Sequence, residues 1–496
     1  MNWRSLGLAA GMLVAAIATF RGVAAPLNTW ISFGTAVAGV WLIYCGLAYP
    51  SDGAKRIILR LWGHTWTRDE LCCHFLITGA TGTGKTARAL VPIIHGLRKT
   101  LPGTGILTVD SKGVLWQPLS AIARELGQEK DLRLIRVRPP EVARKDWIPP
   151  LRMNVLADRS IPWTTYAKLI VDTATAAGQK GGQAFFKETA RDAIAHAMQA
   201  LAAIGEEVTL ENVHNVVCQS ADTTWLTGKL SARGETTKAD AEFFKDFAAQ
   251  PPEQKGGSIS TVANFLRPYA IPDIADVFCS IEPNFSLAEL DAGKLICLSI
   301  PQTYQVERRY LNLLCKQLFF LHAFRRFDLP EFEMRQKNAI VLVLDEGQKT
   351  TLLSEDGFSD HFTVDELREA GVCLMLATQT PLSLYASFDH QKKADVFMAN
   401  MRTQIHFRAA DEQGAKILSQ KLGGRETRKY SGGISAGKNS RSWQLVDEPW
   451  FKPERMLSLP AATAVLKHPR RISRPPLRKL PFTSFTAANE TSPPAG

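Results

Sequence analysis

The stretch Leu76-Ile77-Thr78-Gly79-Ala80-Thr81-Gly82-Thr83-Gly84-Lys85-Thr86 constrains this chain more than any other. An apolar run breaks there into a glycine-rich turn that ends in Lys-Thr, satisfying G-x-x-x-x-G-K-[ST] at every fixed position. A polyphosphate lies against backbone N–H groups only where positive φ is open and no Cβ intervenes; Gly79, Gly82 and Gly84 meet that need. With Ala80, Thr81 and Thr83 they form a cradle of N–H groups converging on an anion. Lys85 is expected to set its ammonium on the β- and γ-phosphates, Thr86 to give its hydroxyl to Mg²⁺, and the following helix to add its positive dipole end. Residues 74–78 read as a short buried strand, and residues 87–97 as a helix with Leu90, Ile93, Ile94 and Leu97 on one face. The glycines fall as G-x-x-G-x-G with Lys85 immediately after, which favours a triphosphate such as ATP over a dinucleotide.

The amino-terminal region makes the second demand. Residues 27–49 contain no charge, and as a helix they would measure about 34 Å, enough for a bilayer core of roughly 30 Å. Residues 6–25 are interrupted only by Arg21, which can snorkel to the interface, so a two-helix transmembrane hairpin is expected over residues 1–50. The competing reading of the first segment is a signal peptide, with Arg4 as its basic end, residues 6–20 as its apolar core and Val23-Ala24-Ala25 as a cleavage site. Lys55, Arg56 and Arg60 follow the second span and place the remainder in the cytoplasm by the positive-inside tendency. The eight cysteines (Cys45, Cys72, Cys73, Cys218, Cys279, Cys297, Cys315 and Cys373) form no C-x-x-C pair and read as reduced core residues. A net charge of +11 fits an anionic partner, nucleic acid or membrane, without choosing between them.

Beyond the glycine-rich turn, residues 105–110 (Gly-Ile-Leu-Thr-Val-Asp) and 134–137 are short β-branched runs separated by a helical stretch over 115–126, the pattern of a parallel sheet covered on both faces. Residues 161–279 show no strand-like run; Ala190, Ala193, Ile194, Ala197, Met198, Leu201 and Ile204 keep helical spacing, so an all-helical insertion is expected. Sheet character returns at 295–300. A helix over 309–327 and a polar linker over 328–338 then lead to Ala339-Ile340-Val341-Leu342-Val343-Leu344-Asp345-Glu346. An apolar run ending in Asp-Glu suits a strand beside the phosphate turn: Asp345 would hold the Mg²⁺ water shell and Glu346 would polarise the attacking water. Leu367-Arg368-Glu369-Ala370-Gly371 precedes the apolar run 372–378. Gln379 ends that run, placed to sense the γ-phosphate, and a subunit interface would let the Arg368 guanidinium enter a neighbour's site.

The glycine-rich turn, the Val-Asp-Ser-Lys-Gly box, the Asp-Glu strand, the Leu-Arg-Glu-Ala-Gly segment and the terminal Thr-Gln together resemble the coupling proteins of type IV secretion and conjugation, the TraD/TrwB family, related to the FtsK/HerA ATPases. The resemblance runs from residue 1 to about 468. One departure is Met153-Asn154-Val155-Leu156, where many relatives have Asn-Pro-Leu. It implies an α/β fold: a RecA-like P-loop NTPase domain with a mainly parallel sheet, an inserted all-α domain and an N-terminal two-helix anchor in the bacterial inner membrane. It further implies a homo-hexameric ATPase that recruits DNA, single- or double-stranded, with its relaxase or relaxosome to a type IV secretion channel. The site would comprise Lys85, Thr86, Asp345, Glu346 and Gln379, with Arg368 supplied in trans. Other readings are a coupling protein for protein effectors, an FtsK/HerA-type translocase, or a nucleotide-binding recruitment scaffold.

The expected division is a membrane hairpin (1–50), an amino-proximal stretch of the nucleotide domain (51–155), the helical insertion (156–280), the remaining stretch of the nucleotide domain (281–468) and a basic disordered tail (469–496). Lys187 and Arg191 sit among acids and read as a solvated mixed-charge face. Residues 423–441 mix five cations with glycine and serine and read as a mobile loop, either surface or substrate-facing. His406 reads as a core residue, and no His/Cys spacing suits a structural zinc.

Overall fold

The computed structural model describes residues 56–179, 184–219, 224–354, 357–435, 438–470 and 474–481. The two spans expected at 6–25 and 27–49 lie outside these residues; among the described residues no helix is long and apolar enough to cross a membrane. In chain order the strands are β1 (Ile57–Leu61), β2 (His64–Thr67), β3 (Phe75–Thr78), β4 (Gly105–Asp110), β5 (Leu132–Arg136), β6 (Leu295–Ser299), β7 (Ile340–Asp345), β8 (Val372–Thr378), β9 (Thr403–His406), β10 (Gly424–Ser435), β11 (Lys438–Pro449), β12 (Thr463–Lys467) and β13 (Leu477–Lys479). β1 pairs with β2 and β10 with β11; the other nine form one sheet in the order β13-β12-β9-β3-β8-β7-β4-β6-β5.

From β9 to β5 every neighbour is parallel. Every residue of β4, β7 and β8 is buried, which is why these strands read as unbroken apolar runs rather than alternating ones. Parallel strands send their carboxyl ends to one edge, so the turns after β3, β4, β7 and β8 gather there. The strand order sets β8 between the glycine-turn strand β3 and the Asp-Glu strand β7. Two antiparallel strands close the far side, with β12 on β9 and β13 on β12.

The helical insertion leaves after β5 and returns before β6. Its two connections are stitched together: the Met153 N–H donates to Val277 O at 2.7 Å, the Val155 N–H donates to Phe278 O at 3.2 Å, and Asn154 bridges Cys279. The two connections of the insertion therefore run side by side at residues 153–155 and 277–279. Between 156 and 278 the described residues hold helices and turns only. On the helix Ala184–Ile204, Ala190, Ala193, Ile194, Ala197, Met198 and Leu201 are buried, as their spacing requires.

Three segments differ from expectation. The polar linker 328–338 contains the helix Glu331–Gln336, held by an Arg335–Glu331 pair at 2.6 Å and started after Pro330, whose fixed φ suits a helix entry. Residues 423–441 are not a loop: β10 and β11 pair residue for residue from Gly424↔Pro449 to Ser435↔Lys438. The tail expected to be disordered from 469 returns to the sheet as β13, because Leu480 is an apolar anchor, fully buried, with its N–H donating to Ala462 O at 2.7 Å. Among the described residues no two cysteines form a disulfide, and Cys45 lies outside them. His406 is a core residue whose Nδ1 meets the Thr78 hydroxyl at 2.8 Å. Burial pushes its pKa down to about 3.

Candidate nucleotide site

The turn after β3 is wound as its glycines require. Gly82 and Gly84 have φ of 78° and 93°. A Cβ on Gly84 would come within 2.6 Å of the Arg88 side chain, and one on Gly79 within 2.7 Å of Phe407 Cβ. These positions admit only a bare backbone, which lets an anion approach the turn closely; within the turn the Ala80 N–H donates to Arg408 O at 2.8 Å and the Thr83 N–H to Ala80 O at 3.3 Å. Lys85 and Thr86 begin a wide helical turn, Lys85–Leu90, that continues into the helix Val91–Thr100. The Lys85 ammonium lies back over the turn, donating to Gly79 O at 2.6 Å and Ala80 O at 3.2 Å. Burial lowers its pKa, opposed by the charge of Asp345.

Thr86 carries the decisive contact. Its hydroxyl donates to Asp345 Oδ2 at 2.8 Å across 259 positions of sequence, so the glycine turn and the end of β7 form one site. Asp345 is buried, and burial together with the neighbouring carboxylates of Asp110 and Glu346 raises its pKa, while the Thr86 bond opposes the rise. A hydroxyl touching a desolvated carboxylate beside further carboxylate oxygens is the hard-oxygen set a divalent cation takes, so Thr86 and Asp345 fit Mg²⁺.

Glu346 follows in the left-handed conformation, φ 55° and ψ 47°. That is an expensive backbone for a residue with a Cβ, and it turns the side chain away from the strand axis. Lys112 Nζ lies 3.2 Å from its Oε1, and Lys349 forms an ion pair with Oε2. Burial works to raise the Glu346 pKa, but the two lysines outweigh it and hold the carboxyl below its ordinary value. The group is thus an oriented carboxylate at neutral pH.

Gln379 follows directly on β8, so it sits on the edge where the glycine turn and Asp345 meet, between their two strands. Arg368 lies elsewhere. It caps the helix Asp360–Leu367 on the exposed surface and precedes the start of β8, at the opposite end of the strand from Gln379. A seven-residue strand spans about 23 Å, so Arg368 cannot serve the site of its own chain.

Two further groups join the site without a role read from the sequence. Asp110 stands opposite Asp345 in the β4–β7 register, and its carboxylate accepts from the N–H groups of Lys112 (2.7 Å), Val114 (2.5 Å) and Leu115 (2.8 Å). It thereby folds the loop that delivers Lys112 to Glu346. An Asp-Ser-Lys-Gly box closing a buried strand was the available signal. Arg308, on the helix Gln305–Phe324, feels the charges of Asp110 and Glu346, and its Nη1 is buried without a hydrogen-bond partner. Burial lowers its pKa. Nothing in its sequence neighbourhood distinguishes it from a surface arginine.

Residues 339–461 match the family model described as the TraM recognition site of TraD and TraG. No curated protein matches the chain. Among solved structures the fold is similar to the bacterial conjugative coupling protein TrwBdeltaN70 in an unbound monoclinic form, with 19% identity over 88% of this chain and 91% of that one and a TM-score of 0.62. It is similar also to the plasmid coupling protein TrwB in complex with ADP and Mg²⁺ (18% identity, 87% and 91% covered, TM-score 0.59) and with a non-hydrolysable ATP analogue (18%, 88% and 92%, TM-score 0.60). At these identities the likeness is one of fold, and it extends over both the sheet and the helical insertion.

Proposed function

Proceeding from a TraD/TrwB-like chain, we propose that it is the MgATP-hydrolysing subunit of a coupling protein that recruits DNA and moves it toward a conjugative secretion channel. The observation that carries the reading is the Thr86–Asp345 contact, which brings the anion cradle, the cation ligands and an oriented carboxylate onto one sheet edge. TrwB has been seen with ADP and Mg²⁺ and with an ATP analogue, which supports ATP and Mg²⁺ as the ligands here.

In this reading the backbone of the glycine turn would hold the phosphates, and Lys85 would leave the Gly79 and Ala80 carbonyls to meet them. Mg²⁺ held by Thr86 and Asp345 would neutralise charge between them. Glu346 aligns the attacking water and takes its proton, kept anionic by Lys112 and Lys349. Gln379 senses the γ-phosphate. Arg368, exposed and remote from its own cradle, completes the site of an adjacent subunit, which supports a closed homo-hexameric ring. The ring is anchored in the inner membrane by the two amino-terminal spans, with the ATPase domain in the cytoplasm. Because residues 339–461 match a TraM recognition region, the exposed part of that span is the surface offered to the relaxosome and its relaxase.

The test is phosphate release by the full chain in detergent, with and without single- and double-stranded DNA, across a salt series. Stimulation that declines as salt rises is expected, since phosphate contacts release counterions. Turnover indifferent to DNA would move the reading to a coupling protein for protein effectors, and nucleotide uptake without turnover would reduce it to a scaffold.

A further inference from the structure

The edge that carries Asp345 and Glu346 also holds a guanidinium nitrogen without a partner. Arg308 enters on the helix Gln305–Phe324, which follows β6, and β6 lies beside β4. The approach to that helix is fastened to the loop after β4: the Ser299 hydroxyl donates to Gly113 O at 3.2 Å and the Gln302 amide to Lys112 O at 2.6 Å. A Cβ on Gly113 would come within 2.7 Å of Ile300 O, so the two loops meet backbone to backbone. Arg308 is thereby held beside the loop that delivers Lys112 to Glu346, and it feels the charges of Asp110 and Glu346. Its Nη1 is nevertheless buried without an acceptor. Asp110 cannot supply one, because both of its oxygens already accept backbone N–H groups. A buried donor left unmade is costly, and an arginine kept for packing is normally folded onto carbonyls, as Arg98 and Arg326 are here.

The present holders of Glu346 are placed to leave it. Lys112 and Lys349 are both more than half exposed, and Lys112 is near enough to Lys85 for the two charges to repel. A triphosphate on the glycine turn therefore attracts Lys112 as well as Lys85, and the grip of Lys112 on Glu346 weakens when the carboxylate has to align water. We propose that Arg308 is a positioning residue for Glu346: when nucleotide draws Lys112 away, the unpartnered Nη1 takes the released Oε1 and keeps the carboxylate oriented. A guanidinium suits that task, since it stays charged and its planar fork matches a carboxylate. The inference rests on the reading of Glu346 as the base and adds what holds it once the site is loaded.

The experiment is a double-mutant cycle on the full chain in detergent, with Arg308→Met, Glu346→Gln and the two combined. It is read by phosphate release at saturating ATP, by titration with a non-hydrolysable ATP analogue and by thermal unfolding without nucleotide. Arg308→Met should lower kcat about 10- to 100-fold with analogue affinity within about tenfold, and Arg308→Lys should keep part of the lost turnover. In the Glu346→Gln background the same substitution should change turnover by less than about threefold, since the group it positions is gone. Without nucleotide, the unfolding midpoint of Arg308→Met should equal or exceed that of wild type, because a buried donor with no acceptor has been removed; an arginine that only supports the fold would lower it. A wild-type structure with the analogue bound should show Arg308 hydrogen-bonded to Glu346, and needs no variant. Unchanged kcat in Arg308→Met, an equal fold-loss in both backgrounds, a lowered midpoint, or a loaded structure with the two side chains still apart overturns the positioning role while leaving Glu346 as the base. Normal turnover in Glu346→Gln overturns the base assignment itself, and the positioning role with it.

Discussion

Glu346→Gln tests the catalytic assignment with the least disturbance to the fold. Glutamine keeps the length and shape of the side chain and faces the same backbone penalty at φ 55°, so the turn after β7 is preserved. What is lost is one negative charge held by Lys112 and Lys349, whose side chains are 54% and 55% exposed. Solvent screening limits each such pair to about 0.2–1 kcal/mol, so less than about 2 kcal/mol of stability is removed. Loss of a general base lowers turnover by about two to four decades, which at 1.36 kcal/mol per decade is about 3–5 kcal/mol of transition-state stabilisation. The catalytic loss therefore exceeds the structural one. Because the folded carboxyl lies below its ordinary pKa, its stabilising contribution is present above the unfolded value and disappears as pH falls through the folded one. Thermal unfolding of the variant should lose that acid-side dependence. Phosphate release and calorimetric titration with a non-hydrolysable ATP analogue separate the effects: turnover should collapse while affinity stays within about threefold. Normal turnover in Glu346→Gln would refute the role, and so would a loss of turnover explained wholly by lost nucleotide binding.

Three other outcomes follow from the same geometry. Asp345 titrates above its ordinary value, so protons compete with Mg²⁺ at higher pH than at a free aspartate; Mg²⁺-dependent nucleotide affinity should rise with pH through that window, and Asp345→Asn should flatten the dependence. Without the cation, the raised pKa makes the folded state lose stability as pH climbs past the unfolded value, so a chelator should lower the unfolding midpoint more at pH 7.5 than at pH 5. Arg368→Ala should abolish turnover only in assembled rings, and mixing it with Lys85→Ala subunits should restore some of it; no recovery at any ratio removes the trans role. Lys316, fully buried, donates to both Asp360 oxygens at 2.7 and 2.8 Å. Lys316→Met leaves that buried carboxylate without its cation and should destabilise by about 3–5 kcal/mol in denaturant unfolding, whereas Lys316→Met with Asp360→Leu should recover only part of the loss, because the Leu352 N–H and the Thr350 carbonyl lose their partners.

The parallel core was legible because burial on both faces removes alternation: β4 and β7 read as apolar runs and end where their aspartates stand. The pairing of Lys85-Thr86 with Asp345-Glu346 was legible for a chemical reason, since a metal-bound triphosphate needs both halves. The hairpin was not, because a two-stranded ribbon exposed on both faces has no core to impose a period of two on its sequence, and its glycines and serines mimic a loop. Strand β13 was hidden for a related reason. Prolines and arginines dominate residues 470–479, and only Leu477, packed against the core, and the buried Leu480 supply apolar anchors that return the chain to the sheet. Arg308 escaped because its role depends on a helix crossing the carboxyl ends of strands distant in sequence.

Conversion of a nucleotide event into movement requires a physical path out of the site, and the residues after Glu346 supply one. Lys349 grips Glu346 from the turn Gly347–Thr350, and the chain then runs to Ser354, whose hydroxyl donates to Asp172 Oδ2 at 2.7 Å on the helix Trp163–Ala176 of the inserted domain. From the other side, the helix Gln305–Phe324 presents Arg308 toward Asp110 and Glu346, while Arg309 on the same helix donates to Ala176 O at 2.9 Å. The Glu346 carboxylate is thus flanked by two segments that both end on one helix of the insertion. In the proposed function, a change in charge at the γ-phosphate would alter what Lys349 and Arg308 face, and the hydrogen bonds of Ser354 and Arg309 would carry either shift to the Trp163–Ala176 helix. This arrangement explains why the insertion sits between β5 and β6 without separating the two halves of the site: its first helix lies against the segments that leave the catalytic edge.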